Sequence, residues 1–153
     1  MPSRLLPDAL ALLGPITSAT VRSNGSGRGD VMSDGREAIV RNMAEVMWEN
    51  PPGHSPGAIS KMLVRPETTS SRLVDFRIST YQPMSFVEPH LHKIQEQIYH
   101  VIEGEGLIEL DGKRRVMRAG DYVFIPPGVV HAFYNTGNAD LTFFVVTTPP
   151  DDE

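Results

Sequence analysis

Gly120-Asp121-Tyr122-Val123-Phe124-Ile125-Pro126-Pro127-Gly128-Val129-Val130-His131-Ala132-Phe133-Tyr134-Asn135 puts a β-rich run, a Pro-Pro-Gly turn and a histidine into one short stretch. Upstream, His90-Leu91-His92 precedes Gln95-Glu96-Gln97-Ile98-Tyr99-His100-Val101-Ile102-Glu103-Gly104-Glu105-Gly106. Residues two apart on a strand share a face, so the imidazoles of His90 and His92 point the same way. Two neutral imidazole nitrogens side by side suit a borderline divalent ion such as zinc, iron, manganese or nickel. The same alternation puts Gln97, Tyr99 and Val101 on one face, and Glu96, Ile98, His100 and Ile102 on the other.

Around these stretches the texture is that of short strands. Runs rich in Val, Ile, Phe and Tyr alternate with turn signals at 60–64, 72–81, 84–88, 97–103, 106–110, 113–118, 121–125 and 142–147. Asp111-Gly112 between two of them is a two-residue hairpin signal. Residues 37–41 read as a further strand, although 36–48 also fits a weak amphipathic helix, and Pro51-Pro52-Gly53 ends whatever precedes it. With no convincing helix after residue 50, the pattern predicts an all-β sandwich or barrel over residues 37–148 and a C-terminal tail at 149–153. Residues 1–36 read as an N-terminal extension. A Leu-rich turn, expected to dock elsewhere as a short helix, is followed by the flexible run Ser23-Asn24-Gly25-Ser26-Gly27-Arg28-Gly29-Asp30.

Composition narrows the function. The 153 residues carry a net charge of −5, which disfavours binding to nucleic acid or to an anionic membrane. The absence of Cys removes disulfides, thiolate zinc sites and cysteine nucleophiles. No apolar run approaches the roughly 20 residues of a membrane helix. The apolar run at 9–13 is interrupted upstream by Pro7 and Asp8 and is too short for a signal peptide, so a cytoplasmic protein is expected. There is no Gly-rich phosphate loop and no Gly-x-Ser-x-Gly elbow. Lys113-Arg114-Arg115 follows the Asp111-Gly112 turn and reads as a solvated hairpin.

The two histidine-bearing stretches together resemble the paired motifs of the cupin superfamily, G-x5-H-x-H-x(3,4)-E-x6-G and G-x5-P-x-G-x2-H-x3-N. The second is matched at every fixed position by Gly120, Pro126, Gly128, His131 and Asn135, and the first by His90, His92 and Gly104. The resemblance covers about residues 80–147 and implies a double-stranded β-helix, a jelly-roll barrel. Two positions depart from the pattern. Met84 stands where the family has its leading glycine, and Gln97 stands at the acidic ligand position. Glu96 is one residue too early and on the wrong face to replace it.

The resemblance implies one divalent metal ion per chain (zinc, iron, manganese or nickel), held by His90, His92, Gln97 and His131. A Gln carbonyl is neutral, so the ion keeps its full charge, polarises a substrate oxygen more strongly and stabilises a trivalent state less. That tilts the expected chemistry towards lyase, isomerase or ring-opening reactions of a small anionic oxygenated substrate. A metal-dependent dioxygenase and a noncatalytic binding or sensing protein are the alternatives. By resemblance to cupin lyases, Tyr99 is the candidate general base, its pKa expected to be brought down from about 10 by a metal ion and low-dielectric walls. His100 is expected on the outer face and His54 in a loop, Glu88 at the mouth or orienting a ligand, and Asn135 fixing a turn. Phe76, Ile78, Phe86, Phe124, Phe133 and Phe143 are expected inside the barrel. The outward Ile98 and Ile102 want a cover, and small cupins usually dimerise through such surfaces, so a homodimer is expected.

Overall fold

The computed structural model describes residues 34–153. The expectations for residues 1–33, the Leu-rich helix and the Gly/Ser run among them, lie outside the described residues. In place of a strand at 37–41 there is only a 3-10 turn, Met43–Glu45. It is held by Asn42, whose side chain accepts from the Ala44 amide while Glu45 reaches back to the Asn42 amide. No helix among the described residues is long and apolar enough to cross a membrane.

The strands are β1 (Ala58–Val64), β2 (Asp75–Tyr81), β3 (Phe86–His90), β4 (Glu96–Glu103), β5 (Glu105–Leu110), β6 (Lys113–Arg118), β7 (Tyr122–Ile125), β8 (His131–Tyr134) and β9 (Leu141–Thr148), with one helical turn, α1 (Pro66–Thr69). They form two antiparallel sheets in the orders β1-β2-β9-β4-β7 and β3-β8-β5-β6. All the strands expected from residue 60 onward are present, and β8 is added to them. Asp111 and Gly112 both adopt positive φ, 47° and 74°, the geometry of a two-residue hairpin turn between β5 and β6.

Both sheets feed one core. Phe133 of β8 stacks at 4.9 Å from Phe143 of β9 and 6.0 Å from Tyr99 of β4. Phe133 and Phe143 are fully enclosed, each burial contributing about 1.5–3 kcal/mol. The other aromatic expectations divide. Ile78 is buried, but on the face of β2 opposite Arg77 and Ser79. On that face Phe76 packs on Phe144, ring centroids 5.2 Å apart, while Phe86 is half-buried against Tyr134. Phe124 is 50% exposed: it pairs with Ile98 on the outer face, and Val123 and Ile125 take the inner positions. Phe and Ile favour strands, but only register decides the face they take.

Register also builds the interior. Across β2, β9, β4 and β7 the inward residues align in rows: Asp75–Thr147–Gln97–Ile125, Arg77–Val145–Tyr99–Val123, Ser79–Phe143–Val101 and Tyr81–Leu141. The first two rows carry polar and ionisable groups and the last two are mostly aromatic and aliphatic, so the barrel has a chemical end and a packed end.

Two motif positions show why the pattern needs its residues. Asn135 is buried and uses its whole amide: Nδ2 donates to the carbonyls of Tyr81 (2.6 Å) and Ala139 (2.9 Å), and Oδ1 accepts from the Gly137 amide at 2.9 Å. It fixes the turn, as expected. Met84, at the family's glycine position, has φ +70° with its side chain in solvent, a left-handed backbone that disfavours any Cβ.

Candidate metal centre

His90 ends β3 and His131 opens β8, and the two are cross-strand partners. His92 lies just past β3, so the shared-strand reason for pairing it with His90 does not apply; the irregular segment after β3 still brings its ring to within 5.2 Å of that of His90. One ring nitrogen from each histidine falls within 4.8 Å of the others. The His90 and His131 ring centroids are 4.2 Å apart.

Backbone carbonyls set the tautomers. His90 Nδ1 lies 2.8 Å from the Glu88 carbonyl and His131 Nδ1 lies 3.0 Å from the Val129 carbonyl. A carbonyl only accepts, so Nδ1 carries the hydrogen in both rings and Nε2 keeps its lone pair. It is thus the Glu88 main chain that orients His90; the Glu88 side chain is at the cavity wall. His92 Nε2 is buried without any hydrogen-bond partner among the described residues. On the other edge of that ring, Nδ1 is 3.6 Å from Asp152 Oδ2. Asp152 is in turn gripped by the backbone amides of Lys93, Ile94 and Gln95, at 2.8, 2.9 and 3.3 Å. Those amides hold its carboxyl down at about 2. Residues 149–153 are therefore tied to the loop that carries His92.

Gln97 faces the cluster. Its Nε2 donates to Thr147 Oγ1 (3.2 Å), its Oε1 accepts from the Tyr99 hydroxyl (3.0 Å), and the same oxygen is 3.0 Å from His131 Nε2. An amide oxygen and an imidazole lone pair thus face each other. Thr147 Oγ1 and the Tyr99 hydroxyl can each donate or accept, so the amide can turn either its nitrogen or its oxygen to His131; with the oxygen inward it offers the atom a metal takes. Two cis ligands on an octahedral ion at about 2.1 Å stand about 3.0 Å apart, against about 3.4 Å in a tetrahedral site. Three imidazole lone pairs, one of them orphaned, and an oriented amide oxygen therefore fit a divalent ion.

Burial lowers His131 to about 4, with His90 and His92 adding to the effect, and burial also lowers His92. Low pKa values keep these rings neutral, the state that ligates. Without an ion, burial pushes the Tyr99 phenol up to about 12, with the Arg77 charge working against that shift. Low-dielectric walls penalise the phenolate, so the protein alone does not make Tyr99 a base.

The cluster opens into a cavity of about 440 Å3. His100 is on the exposed side of β4, as expected. His54 is no bystander in its loop. It bridges to Val87, stacks edge-on with Tyr81 at 5.8 Å, and lines the cavity. Its Nδ1 donates to the Pro52 carbonyl at 3.0 Å, leaving Nε2 as an acceptor. Arg77, which sequence reading passed over, lines the same cavity. The one signal that could have found it is its place in the alternation Asp75-x-Arg77-x-Ser79, a charged residue on an inward-facing strand register.

Comparison with known proteins agrees with this geometry. Residues 77–147 match the family model described as the Cupin domain. The chain is 38% identical over 61 residues to an uncharacterised protein of Methanocaldococcus jannaschii, covering 40% of this chain and 49% of that protein. It is 41% identical over 64 residues to the oxalate-binding protein of Thermotoga maritima, covering 42% of this chain and 53% of that protein. The matched segment thus spans about half the length of these curated relatives. Among solved structures, a Thermotoga maritima protein described as a "predicted oxalate decarboxylase" superposes with a TM-score of 0.66 at 30% identity. That match covers 72% of this chain and 99% of the other. The paired motifs, the antiparallel barrel and these relatives together make the chain a member of the cupin superfamily, with a small type-2 cupin domain.

Proposed function

We propose that the protein is a metal-dependent enzyme acting on a small anionic oxygenated substrate, in a lyase, isomerase or ring-opening reaction. The observation that supports it most is that one ring nitrogen from each of His90, His92 and His131 lies within 4.8 Å of the others, with Gln97 Oε1 3.0 Å from His131 Nε2. His90, His92, Gln97 and His131 would hold the ion. When bound, the ion supplies Lewis-acid polarisation of a substrate carbonyl or carboxylate oxygen. Tyr99 would move the proton. At neutral pH its phenol is protonated, so its first role is to donate, with its hydroxyl already aimed at the ligand oxygen of Gln97.

A binding protein without turnover is the second reading, supported by the relative named as an oxalate-binding protein. Metal analysis of the purified chain, followed by a panel of hydroxy and oxo acids, tests both. About one zinc, manganese or nickel per chain with turnover that Tyr99→Phe abolishes while keeping its metal is the expected result. Tight ligand binding with no turnover would establish the second reading, and no metal after reconstitution would overturn the enzyme. Iron with oxygen uptake would replace it by a dioxygenase.

A further inference from the structure

The cavity has a second wall. Arg77 and Tyr99 occupy the same inner row of the sheet with Val145 between them. Two strand spacings separate their backbones by about 10 Å. The Arg77 side chain is only 21% exposed, and burying a guanidinium in a barrel costs free energy that its partners must offset. One partner is present: Arg77 Nε donates to Asp75 Oδ1 at 2.8 Å, and Asp75 is itself buried.

That bond uses one of five N–H donors. Neither Nη nitrogen has a protein acceptor among the described residues, and neither is among the buried side-chain atoms left without a partner. The Nη edge therefore meets the space that Arg77 lines. Asp75 fixes the fork through Nε and leaves the edge that binds carboxylates bidentately free. His54 lines the same cavity with Nε2 as an acceptor. The cavity of about 440 Å3 corresponds to roughly fifteen waters at about 30 Å3 each, room for a ligand well beyond two carbons.

We propose that Arg77, positioned by Asp75, is the anchor for a ligand carboxylate on the wall apart from the histidine cluster. The ligand is then a carboxylate with a second oxygen function, one end on the guanidinium and the other at the histidines. The second half of that statement rests on the metal-site reading above; the first does not.

Titration calorimetry with malonate, and with malonamide as its neutral counterpart, tests the anchor on the full chain in chelator-stripped and zinc-loaded forms. The expected result is malonate binding to stripped wild type, weakened about tenfold or more in Arg77→Gln and partly retained in Arg77→Lys. Zinc stoichiometry should be unchanged in both variants. Because Arg77→Gln strands a buried carboxylate, the double variant Asp75→Asn/Arg77→Gln is measured beside it, with near-ultraviolet circular dichroism as the check on packing. Equal malonate affinity in a folded double variant and wild type, no malonate binding to stripped wild type, or equal binding of malonamide would overturn the proposal. Arg77-dependent malonate binding in a chain that takes up no zinc would sustain the anchor and sink the metal-site reading.

Discussion

His131 Nε2 and Gln97 Oε1 stand 3.0 Å apart, and both present lone pairs. The Thr147 and Tyr99 hydroxyls bond the same amide from the other side. Left alone, such a pair repels; a cation between the two atoms turns it into a ligand pair.

Replacing the neutral ligand should therefore change affinity in a signed way. Gln97→Glu adds a charge to the ligand set and is expected to hold zinc about tenfold more tightly, whereas Gln97→Ala should hold it about tenfold less tightly. Competition against a chromogenic chelator measures both. Equal affinity in all three proteins would remove Gln97 from the ligand set.

Asp152 offers a test through pH. Its folded-state value of about 2 lies below the ordinary 3.8, so its contribution is fully present above about pH 4 and is lost as pH falls through about 2. Denaturant unfolding of wild type should show a decline across that window that Asp152→Asn lacks. The same variant should weaken zinc binding by about tenfold and speed hydrogen exchange at the Lys93, Ile94 and Gln95 amides. Unchanged exchange there would mean the carboxylate does not tether the loop.

Met84 is a stability liability. Its left-handed backbone costs about 1–2 kcal/mol; glycine removes that cost, but its more flexible unfolded chain offsets part of the gain. Met84→Gly is expected to gain about 0.5–1 kcal/mol in equilibrium unfolding, with metal binding unaffected. A loss of stability would show that the side chain makes a compensating contact.

The outer face of β4 and β7 bears on assembly. Ile98 and Ile102 are each 42% exposed, Phe124 is 50% and Tyr122 is 74%. Ile98 and Phe124 are direct cross-strand partners. A homodimer through this face is the expected solution state, and Ile98→Asp should convert it to a monomer in sedimentation velocity while retaining its zinc. A monomeric wild type at micromolar concentration would rule the dimer out.

The readable parts of the sequence are those set by local periodicity. Alternation along Glu96–Glu103 puts Gln97, Tyr99 and Val101 inside and His100 outside, as the structure has them. Positive φ at Asp111 and Gly112 follows from the residue types alone. What escaped was set by pairing between distant segments. Arg77 joins the site only because β9 carries Val145 between it and Tyr99, and Asp152 meets His92 across sixty residues of sequence. β8 buries His131, Ala132 and Phe133 in succession, so no alternation announces it, and the outward turn of Phe124 depends on the register of β7 against β4. For Tyr99 the low-dielectric walls act against the expected lowering, because burial destabilises the phenolate charge.

The rows that divide the barrel into a polar end and a packed end have a consequence for how such a chain can change over time. Val101 and Leu141, which fill the barrel, and the candidate site residues Arg77, Gln97 and Tyr99 sit at different depths on the same strands, with Tyr81 and Phe143 lining the cavity between them. Substitution at Arg77 or Gln97 then leaves that filling in place, whereas Tyr99, packed on Phe133 and Phe143, serves both ends at once and is the residue whose change is felt at both.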